Sequence, residues 1–416
     1  MTHNRLSALA PLFLIIIIDA MGAGLIFPIL APLFADKTAG LLPADASEFL
    51  QNTLYGIAIG IFFLFSFFAA PLLGDLSDRL GRKRVLFICL LGTAISFFLC
   101  ALGITAQSLS LLLLGRALSG IAAGSQGISQ AAIVDISTPE SKAANLGYIV
   151  LAACVGFVVG PLIGGFFSHP GMVSWFSYST PFYVAALLSL FNSLLLLALF
   201  KETYDLPEQH DLSIMKIFHT IKYGFTLKSL RMLLLVFLFM QLAWGIYFQF
   251  VSLYLAQVFH YDGAQAGYFL TFLAAIFIFS LTIGIKLFYR FFKTETVAII
   301  GFSLMVAGSI LAVIFQSELS EWLVLIPIGT GVGITYTTLL ALMSNHADDH
   351  IQGMVMGLSQ SLIAIDWFIG GVLIGPLTKM NIHFPFVIVA VGFVIALLLM
   401  CRIIRVDKQN ATTPSV

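Results

Sequence analysis

The chain has 416 residues, of which 60% are hydrophobic and only 10% are charged, and its formal net charge is zero. A soluble domain carries about 25% charged residues, so this composition excludes an ordinary water-soluble protein. We expect the lipid bilayer as its surroundings and no nucleic acid as a partner.

Apolar runs long enough to cross about 30 Å of hydrocarbon occur twelve times along the chain. The first six are Ser7–Phe34, Thr53–Leu73, Val85–Ile104, Leu109–Val134, Ala143–Phe167 and Pro181–Phe200. The second six are Met232–Phe259, Ala264–Phe288, Val297–Phe315, Trp322–Met343, Gly353–Leu377 and Pro385–Ile404. The first run carries Asp19 and no cleavage site after a short core, so we expect a retained helix and not a signal peptide. The sequence predicts an all-α membrane protein with twelve transmembrane helices.

Basic residues are spread unevenly over the connections between these runs. If both termini are cytoplasmic, every Lys and Arg lies on the inner side except Lys37, Lys379 and the intrahelical Arg116. Cytoplasmic loops of membrane proteins carry an excess of Lys and Arg. The charge distribution therefore predicts that both termini face the cytoplasm.

The longest inner connection, 201–230, divides the chain into two blocks of six helices. We predict a first bundle at 1–200, a linker at 201–230, a second bundle at 231–405 and a tail at 406–416. In the linker, apolar residues recur at helical spacing after Asp211, a candidate cap, with Lys216 and Lys222 between them. This pattern indicates a short helix lying on the inner leaflet, with a disordered linker as the alternative.

Glycines in the fifth helix of each block recur at a constant offset. Gly147, Gly160 and Gly165 are followed 210 residues later by Gly357, Gly370 and Gly375. Matches at the equivalent helix support an internal duplication, which predicts two pseudo-symmetric six-helix bundles.

The inner loop after the second helix reads GDLSDRLGRKRV and concentrates charge between two apolar runs. Its spacing resembles the signature loop of the major facilitator superfamily, at Gly74, Asp78, Arg79, Gly81, Arg82 and Lys83. A purely topogenic basic loop, the alternative, explains the bases but neither the glycines nor the acid. We expect the first glycine to allow close approach of another helix and the second to allow a left-handed turn.

The resemblance implies contacts for two of these loop residues. Asp78 is expected to hold the start of the eleventh helix, and Arg82 to pair with an acid that ends the fourth helix. Asp135 stands at that place, before a helix start with Thr138 as cap and Pro139 in the first turn. Together these residues predict an inner gate.

A second motif lies in the fifth helix and reads GFVVGPLIGG. It resembles the fifth-helix motif of the drug/proton antiporters of the same superfamily, at Gly156, Gly160, Pro161, Gly164 and Gly165. Glycines four residues apart form a groove for close helix packing, and the proline permits bending. Packing alone is the alternative interpretation.

Three charged residues lie inside predicted helices, where a charge is expensive unless it is paired or wetted. Asp19 is near mid-depth, and the DAMGAGLIFPIL that begins with it resembles the first-helix motif of these antiporters. Arg116 matches their fourth-helix arginine. Burial favours the neutral form of an acid, and a nearby guanidinium favours the ionised form. An acid that alternately meets Arg116 and a dry cavity can therefore load and release a proton as the protein changes shape.

Asp366 lies deep in the eleventh helix and matches no motif. We group it with Asp19 and Arg116 as a proton-coupling candidate, with a structural hydrogen bond as the alternative. For Asp19 the alternative is a helix-packing acid near the membrane surface.

Polar and aromatic residues near mid-helix are candidates to line a solute cavity. They are Gln126, Gln241, Trp244, Gln249, Tyr336, Gln360 and Trp367. Interhelical packing is the alternative for each, because buried amides in bundles usually bond neighbouring helices.

The four cysteines, Cys89, Cys100, Cys154 and Cys401, lie in apolar runs without metal-ligand spacing, and we interpret them as packing residues.

HADDH at 346–350 has histidines four apart but falls in a predicted inner loop without further ligands. The sequence predicts that the protein binds no metal or cofactor and is not an enzyme.

These features predict a proton-coupled transporter that works by alternating access, as a monomer in a bacterial inner membrane. The fifth-helix motif favours export of a small organic compound, such as a drug, siderophore or metabolite, in exchange for protons. Proton-coupled uptake of a nutrient such as an amino acid is the alternative. A transporter-like sensor or a membrane enzyme is a third interpretation, which no nucleophile or metal set supports.

Overall fold

In the computed structural model, the described residues are 2–171, 173–203, 215–346 and 352–412. All regular structure in these ranges is helical, and twelve of the helical segments there are long and apolar enough to cross a membrane. The predicted all-α fold with twelve spans is confirmed.

The helices are numbered in chain order. The first seven are α1 Thr2–Ala35, α2 Glu48–Leu80, α3 Arg82–Thr105, α4 Leu109–Ala122, α5 Ser125–Asp135, α6 Pro139–Ser168 and α7 Thr180–Leu199. The remaining eight are α8 Met215–Thr226, α9 Lys228–Val258, α10 Gly263–Phe279, α11 Ile285–Phe291, α12 Thr294–Ile314, α13 Glu318–Asn345, α14 Gln352–Met380 and α15 Phe384–Thr412.

Two of the predicted spans are interrupted. The fourth is divided into α4 and α5 by a turn at Ala123 and Gly124, where a β-carbon on Gly124 would lie 2.8 Å from the side chain of Leu73 in α2. The eighth contains a π-helical segment at Ser280–Gly284 between α10 and α11. Such π-segments frequently accompany functional sites. The break in the fourth span makes Ser125 the first residue of a new helix.

Hydroxyl side chains cap the helix starts that the sequence predicts. At α6, the backbone N–H of Ser141 donates to the Thr138 hydroxyl at 3.3 Å, and the N–H of Thr138 donates to the Ser141 hydroxyl at 2.9 Å. This reciprocal pair is a capping box, and Pro139 occupies the first turn as expected.

The chain forms two compact units. The first comprises Met1–Ile214 and Ser252–Thr271, so the end of α9 and the start of α10 pack with the helices of the first block. The second comprises Met215–Val251 and Phe272–Val416. The predicted bounds of the bundles, linker and tail remain predictions, and residues 204–214 and 347–350, including Asp211 and most of HADDH, lie outside the described residues.

The first unit is built around a core of aliphatic side chains. It includes Leu12, Ile15 and Ile16 of α1, Val85, Leu86 and Leu90 of α3, Ile128 and Ile133 of α5, Ile149 of α6 and Leu196 of α7. Cys89 belongs to this core, and Cys100 and Cys154 are also buried. The packing interpretation is wrong for Cys401, which is exposed on α15.

The duplicated glycines occupy similar surroundings in the two units. Neither Gly147 nor Gly357 would bring a β-carbon within 4 Å of another described atom. Gly160 of α6 faces α1, whereas Gly370 of α14 faces α9, where a β-carbon would lie 3.3 Å from the amide nitrogen of Ile246. Gly160 and Gly370 therefore each pack against the first helix of their own block, as the predicted duplication would have it.

Candidate functional site

The glycines of α6 form a groove that holds α1. A β-carbon on Gly160 would lie 2.5 Å from the carbonyl oxygen of Met21, and one on Gly164 would lie 2.7 Å from that of Leu25. Gly156 meets the backbone of α1 in the same way, one turn earlier. Real β-carbons do not come this close to backbone atoms, so α1 can occupy this position only because the residues are glycine.

The neighbouring face of the same helix contacts the start of α10. A β-carbon on Gly165 would lie 2.8 Å from the carbonyl oxygen of Gly263, and one on Gly267 would lie 2.6 Å from the carbonyl oxygen of Pro161. The fifth-helix motif thus joins α1 on one side to the segment 252–271 on the other, while α6 continues unbroken through its proline.

Asp19 lies half-buried in α1, next to the break between α4 and α5. The hydroxyl of Ser125 donates a hydrogen bond of 2.6 Å to Oδ2 of Asp19. Ser125 itself is fully buried. A short hydrogen bond from a hydroxyl to a carboxylate is a strong one, so this contact favours the ionised acid.

Arg116 is buried in α4 but does not pair with Asp19. Its Nε donates to the carbonyl oxygen of Ala58 at 2.9 Å, and its guanidinium lies 4.9 Å from the ring centroid of Phe62. Within the described ranges, no ion pair joins Arg116 to an acid. In this structure Arg116 bonds α2 whereas Asp19 is bonded by α5, and the predicted coupling between the two charges stays a prediction.

Arg82 is the centre of the inner loop. It lies 2.7 Å from Oδ1 of Asp78 and 3.3 Å from Oδ2 of Asp135, and it donates a hydrogen bond of 2.7 Å to the Ser77 hydroxyl. The arginine thereby connects the end of α2, the start of α3 and the end of α5. The contact between Arg82 and Asp135 is the one that the resemblance implies.

Glu202, which sequence reasoning missed, caps the start of α3. Its carboxylate accepts the backbone N–H of Arg82 at 2.8 Å and that of Lys83 at 3.1 Å. Gly81 precedes them with a φ of +93°, a conformation that favours glycine, and a β-carbon there would meet this carboxylate. The predicted turn at Gly81 is present, and its partner follows α7, far away in the sequence.

The close approach predicted at Gly74 is absent. A β-carbon on this residue would meet no described atom within 4 Å. The expected contact of Asp78 with the start of the eleventh helix remains a prediction.

Of the cavity candidates in the second unit, several bond their neighbours. Nε2 of Gln249 donates to the carbonyl oxygen of Trp367 at 3.0 Å, and the side chains of Tyr336 and Gln360 are hydrogen-bonded. The ring of Trp244 stacks on that of Tyr247, with centroids 6.0 Å apart. The bonds of Gln249 and of Tyr336 are of the interhelical kind that was the alternative to a cavity, whereas Trp244 and Tyr247 belong to the same helix, α9.

Gln241 and Gln126 differ from the other candidates. Gln241 is buried, and its Oε1 has no hydrogen-bond partner among the described residues. Gln126 is half-buried directly after Ser125, at the start of α5. The latter is the cavity candidate that lies beside the Asp19 contact.

Asp366 is buried in α14, and its Oδ2 lacks a hydrogen-bond partner in the described part of the chain. Glu321, in the first turn of α13, is also buried, and neither of its carboxyl oxygens has such a partner there. Glu321 was not among the predicted site residues, because the predicted tenth span begins one residue later, at Trp322. The sequence feature that could have indicated this buried acid is a Glu at the edge of an apolar run.

The segment 252–271 is attached to the first block by polar contacts that the sequence did not predict. Nε2 of Gln257 donates to Oδ1 of Asn52 at 2.7 Å, and Nδ1 of His169 lies 3.3 Å from Oδ2 of Asp262. Burial, with the nearby carboxylates of Asp36 and Asp262, raises the pKa of Tyr178 to about 12, so its hydroxyl stays protonated at neutral pH.

The sequence profile of the Major Facilitator Superfamily matches residues 12–371, which is most of the chain. The chain belongs to this superfamily. Among curated proteins, this facilitator is 29% identical over 364 residues to the class B tetracycline resistance protein of Escherichia coli, covering 86% of this chain and 85% of that protein. It is 27% identical over 395 residues to the quinolone resistance protein NorA of Staphylococcus aureus, covering 94% of each.

A solved structure supports the same fold. The facilitator matches a bacterial homologue of the human lysosomal transporter Spinster, solved in an inward-facing and unoccupied conformation, with a TM-score of 0.77 and 16% identity, over 99% of each chain. The twelve spans and the family together make this protein a multi-pass transporter of the bacterial inner membrane.

Proposed function

We propose that this facilitator exports a small organic compound in exchange for protons, with Asp19 as the carboxyl that carries the proton. The contact between Ser125 and Asp19 is the observation that carries the proposal, because it brings a hydroxyl donor to an ionisable group in the middle of α1. The likeness to tetracycline and quinolone resistance proteins supports export and an amphipathic organic substrate.

The exchange follows from competition for one carboxyl. In this proposal the hydrogen bond from the Ser125 hydroxyl favours the ionised form of Asp19, which is then available to a cationic or donor group of the solute. When α1 or α5 shifts and this bond breaks, the dry surroundings favour the neutral acid, which takes a proton from the other side. Binding of solute and binding of proton then exclude each other, which is the condition for antiport.

Two sets of contacts are suited to gate the pathway. The Arg82 centre with Asp78 and Asp135 lies at the end that the charge distribution assigns to the cytoplasm. The contact between Asn52 and Gln257 lies at the opposite end. Alternating access requires each set to break and re-form once per cycle.

The orientation and the interfacial helix are part of the same proposal. Both termini face the cytoplasm, as the distribution of basic residues favours. The helix α8 lies on the inner leaflet with Ile217 buried and Lys222 exposed towards anionic headgroups.

Proton-coupled uptake is the rival function, and a flux measurement separates the two. Purified protein is reconstituted in proteoliposomes, a pH gradient is imposed, and movement of tetracycline and of norfloxacin is followed. Antiport predicts accumulation on the side from which protons leave, whereas symport predicts accumulation on the side that protons enter.

The matched variants for this experiment are Asp19→Asn and Asp45→Asn. Asp45 is an exposed acid in the loop after α1, so its loss should leave the flux unchanged. Asp19→Asn should abolish uphill movement. Flux of neither probe in wild-type vesicles would contradict the proposed substrate class.

A further inference from the structure

The start of α13 contains two acids in contrasting surroundings. Ser317 and Ser320 form a capping box there, and both Glu318 and Glu321 fall in the first turn. Glu318 is exposed, whereas Glu321 is 0% exposed. An acid in the first turn gains from the helix dipole, but the exposed Glu318 supplies that contribution without any burial.

Glu321 lacks the partners that a buried carboxylate needs. Neither Oε1 nor Oε2 has a hydrogen-bond partner among the described residues, and no Lys, Arg or His in the described ranges forms an ion pair with it. By contrast, Glu202 accepts three backbone N–H groups and Asp19 accepts a hydroxyl. An unpaired ionised carboxylate in a dry interior is strongly unfavourable, so this site requires a cation, of which the proton is the smallest.

Tyr247 of α9 is a titratable group near Glu321. Glu321 acts electrostatically on this tyrosine, whose hydroxyl is buried and has no hydrogen-bond partner in the part of the chain that the structure describes. The ring of Tyr247 lies 6.0 Å from that of Phe386 in α15. From α12, α14 and α15, no described charged group is paired with Glu321.

We propose that Glu321 is a second proton-binding carboxyl of this transporter, in the second block. The inference rests on the proposed proton-coupled function and extends it, because it adds a proton site independent of Asp19. Glu321 takes up a proton when the start of α13 is dry. It releases that proton when the conformational change admits water or brings the Tyr247 hydroxyl into hydrogen-bonding position, where it stabilises the carboxylate.

The direct test is infrared difference spectroscopy of the purified full-length protein during a pH titration. A protonated carboxyl has a carbonyl stretch that disappears on ionisation and shifts in heavy water. Wild type and the control Glu318→Gln should share a titrating band that Glu321→Gln lacks, and Tyr247→Phe should move its midpoint. If Glu321→Gln keeps every titrating carboxyl band of the wild type, the proposal is overturned.

A flux measurement distinguishes this proposal from the proposed function. In proteoliposomes, the number of protons moved per norfloxacin should be about one lower in Glu321→Gln than in the wild type, because one proton-binding carboxyl is lost. Glu318→Gln should keep the wild-type ratio. An unchanged ratio in Glu321→Gln rejects the second site and leaves antiport through Asp19 standing. If norfloxacin flux in the wild type does not depend on the pH gradient while the titrating band of Glu321 is present, the antiport proposal fails and proton binding at Glu321 stands.

Discussion

Ser125 donates a hydrogen bond of 2.6 Å to Asp19, and it does so as the first residue after a break in the fourth span. An uninterrupted helix would continue α4 through this position. The break at Ala123 and Gly124 therefore decides which residue of this span meets the acid of α1. Any rearrangement of the α4–α5 junction changes the environment of Asp19 directly.

Ser125→Ala should slow proton-driven transport about tenfold or more. The variant removes a hydrogen bond to a charged group, worth about 1.5–3 kcal/mol, and so weakens the form of Asp19 that binds solute. Ser129→Ala is the matched control, because its hydroxyl bonds only the Gln126 carbonyl in its own helix. Initial rates in proteoliposomes measure the effect, and equal rates for the two variants would remove Ser125 from the coupling site.

Gly160→Ala should destabilise the protein by about 1–3 kcal/mol, because its methyl group would collide with the backbone of α1 at Met21. Gly147→Ala in the same helix meets no neighbour within 4 Å in the described structure, and it should be neutral or slightly stabilising. Thermal unfolding in detergent compares the two. A wild-type melting temperature for Gly160→Ala would show that α1 is not held by this groove.

Arg82→Gln should reduce turnover without preventing insertion, because it removes both ion pairs of the inner loop, to Asp78 and Asp135. The neighbouring Arg84 is exposed and forms no ion pair in the described structure, so Arg84→Gln tests the loss of charge alone. Transport per inserted molecule is the measurement. An equal reduction of turnover in both variants would show that the loop only sets the membrane topology.

Cross-linking position 52 to position 257 should block transport. In the double variant Asn52→Cys and Gln257→Cys, a bifunctional thiol reagent replaces the observed hydrogen bond with a covalent one that cannot open. Each single variant, treated in the same way, should keep its activity. Undiminished transport by the cross-linked double variant would mean that this contact does not open during the cycle.

The fold could be predicted because its determinants are local. Apolar run length gives the twelve spans, and the pairing of Arg82 with Asp135 follows from a motif whose residues keep their spacing. The groove of α6 follows from glycines at every fourth position. The spans and the groove can each be read within a few turns of one helix, whereas the pairing of Arg82 with Asp135 was implied by the family resemblance.

Contacts between distant segments could not be predicted in this way. Glu202 reaches the start of α3 from the end of α7, and Gln257 reaches Asn52 across more than 200 residues, with no pattern in either segment to indicate the partner. Gly74 shows the converse, because its motif implied a close neighbour that is absent here. The break before Ser125 could not be predicted either, because no proline lies there to indicate it.

Proton release on substrate binding tests the central claim most directly. Norfloxacin is added to detergent-purified protein in weakly buffered solution, and the pH change is compared with that of protein-free solution. If solute and proton compete for Asp19, wild type and Asp45→Asn release protons and Asp19→Asn releases none. Proton uptake by the wild type, or undiminished release from Asp19→Asn, would contradict antiport through this carboxyl.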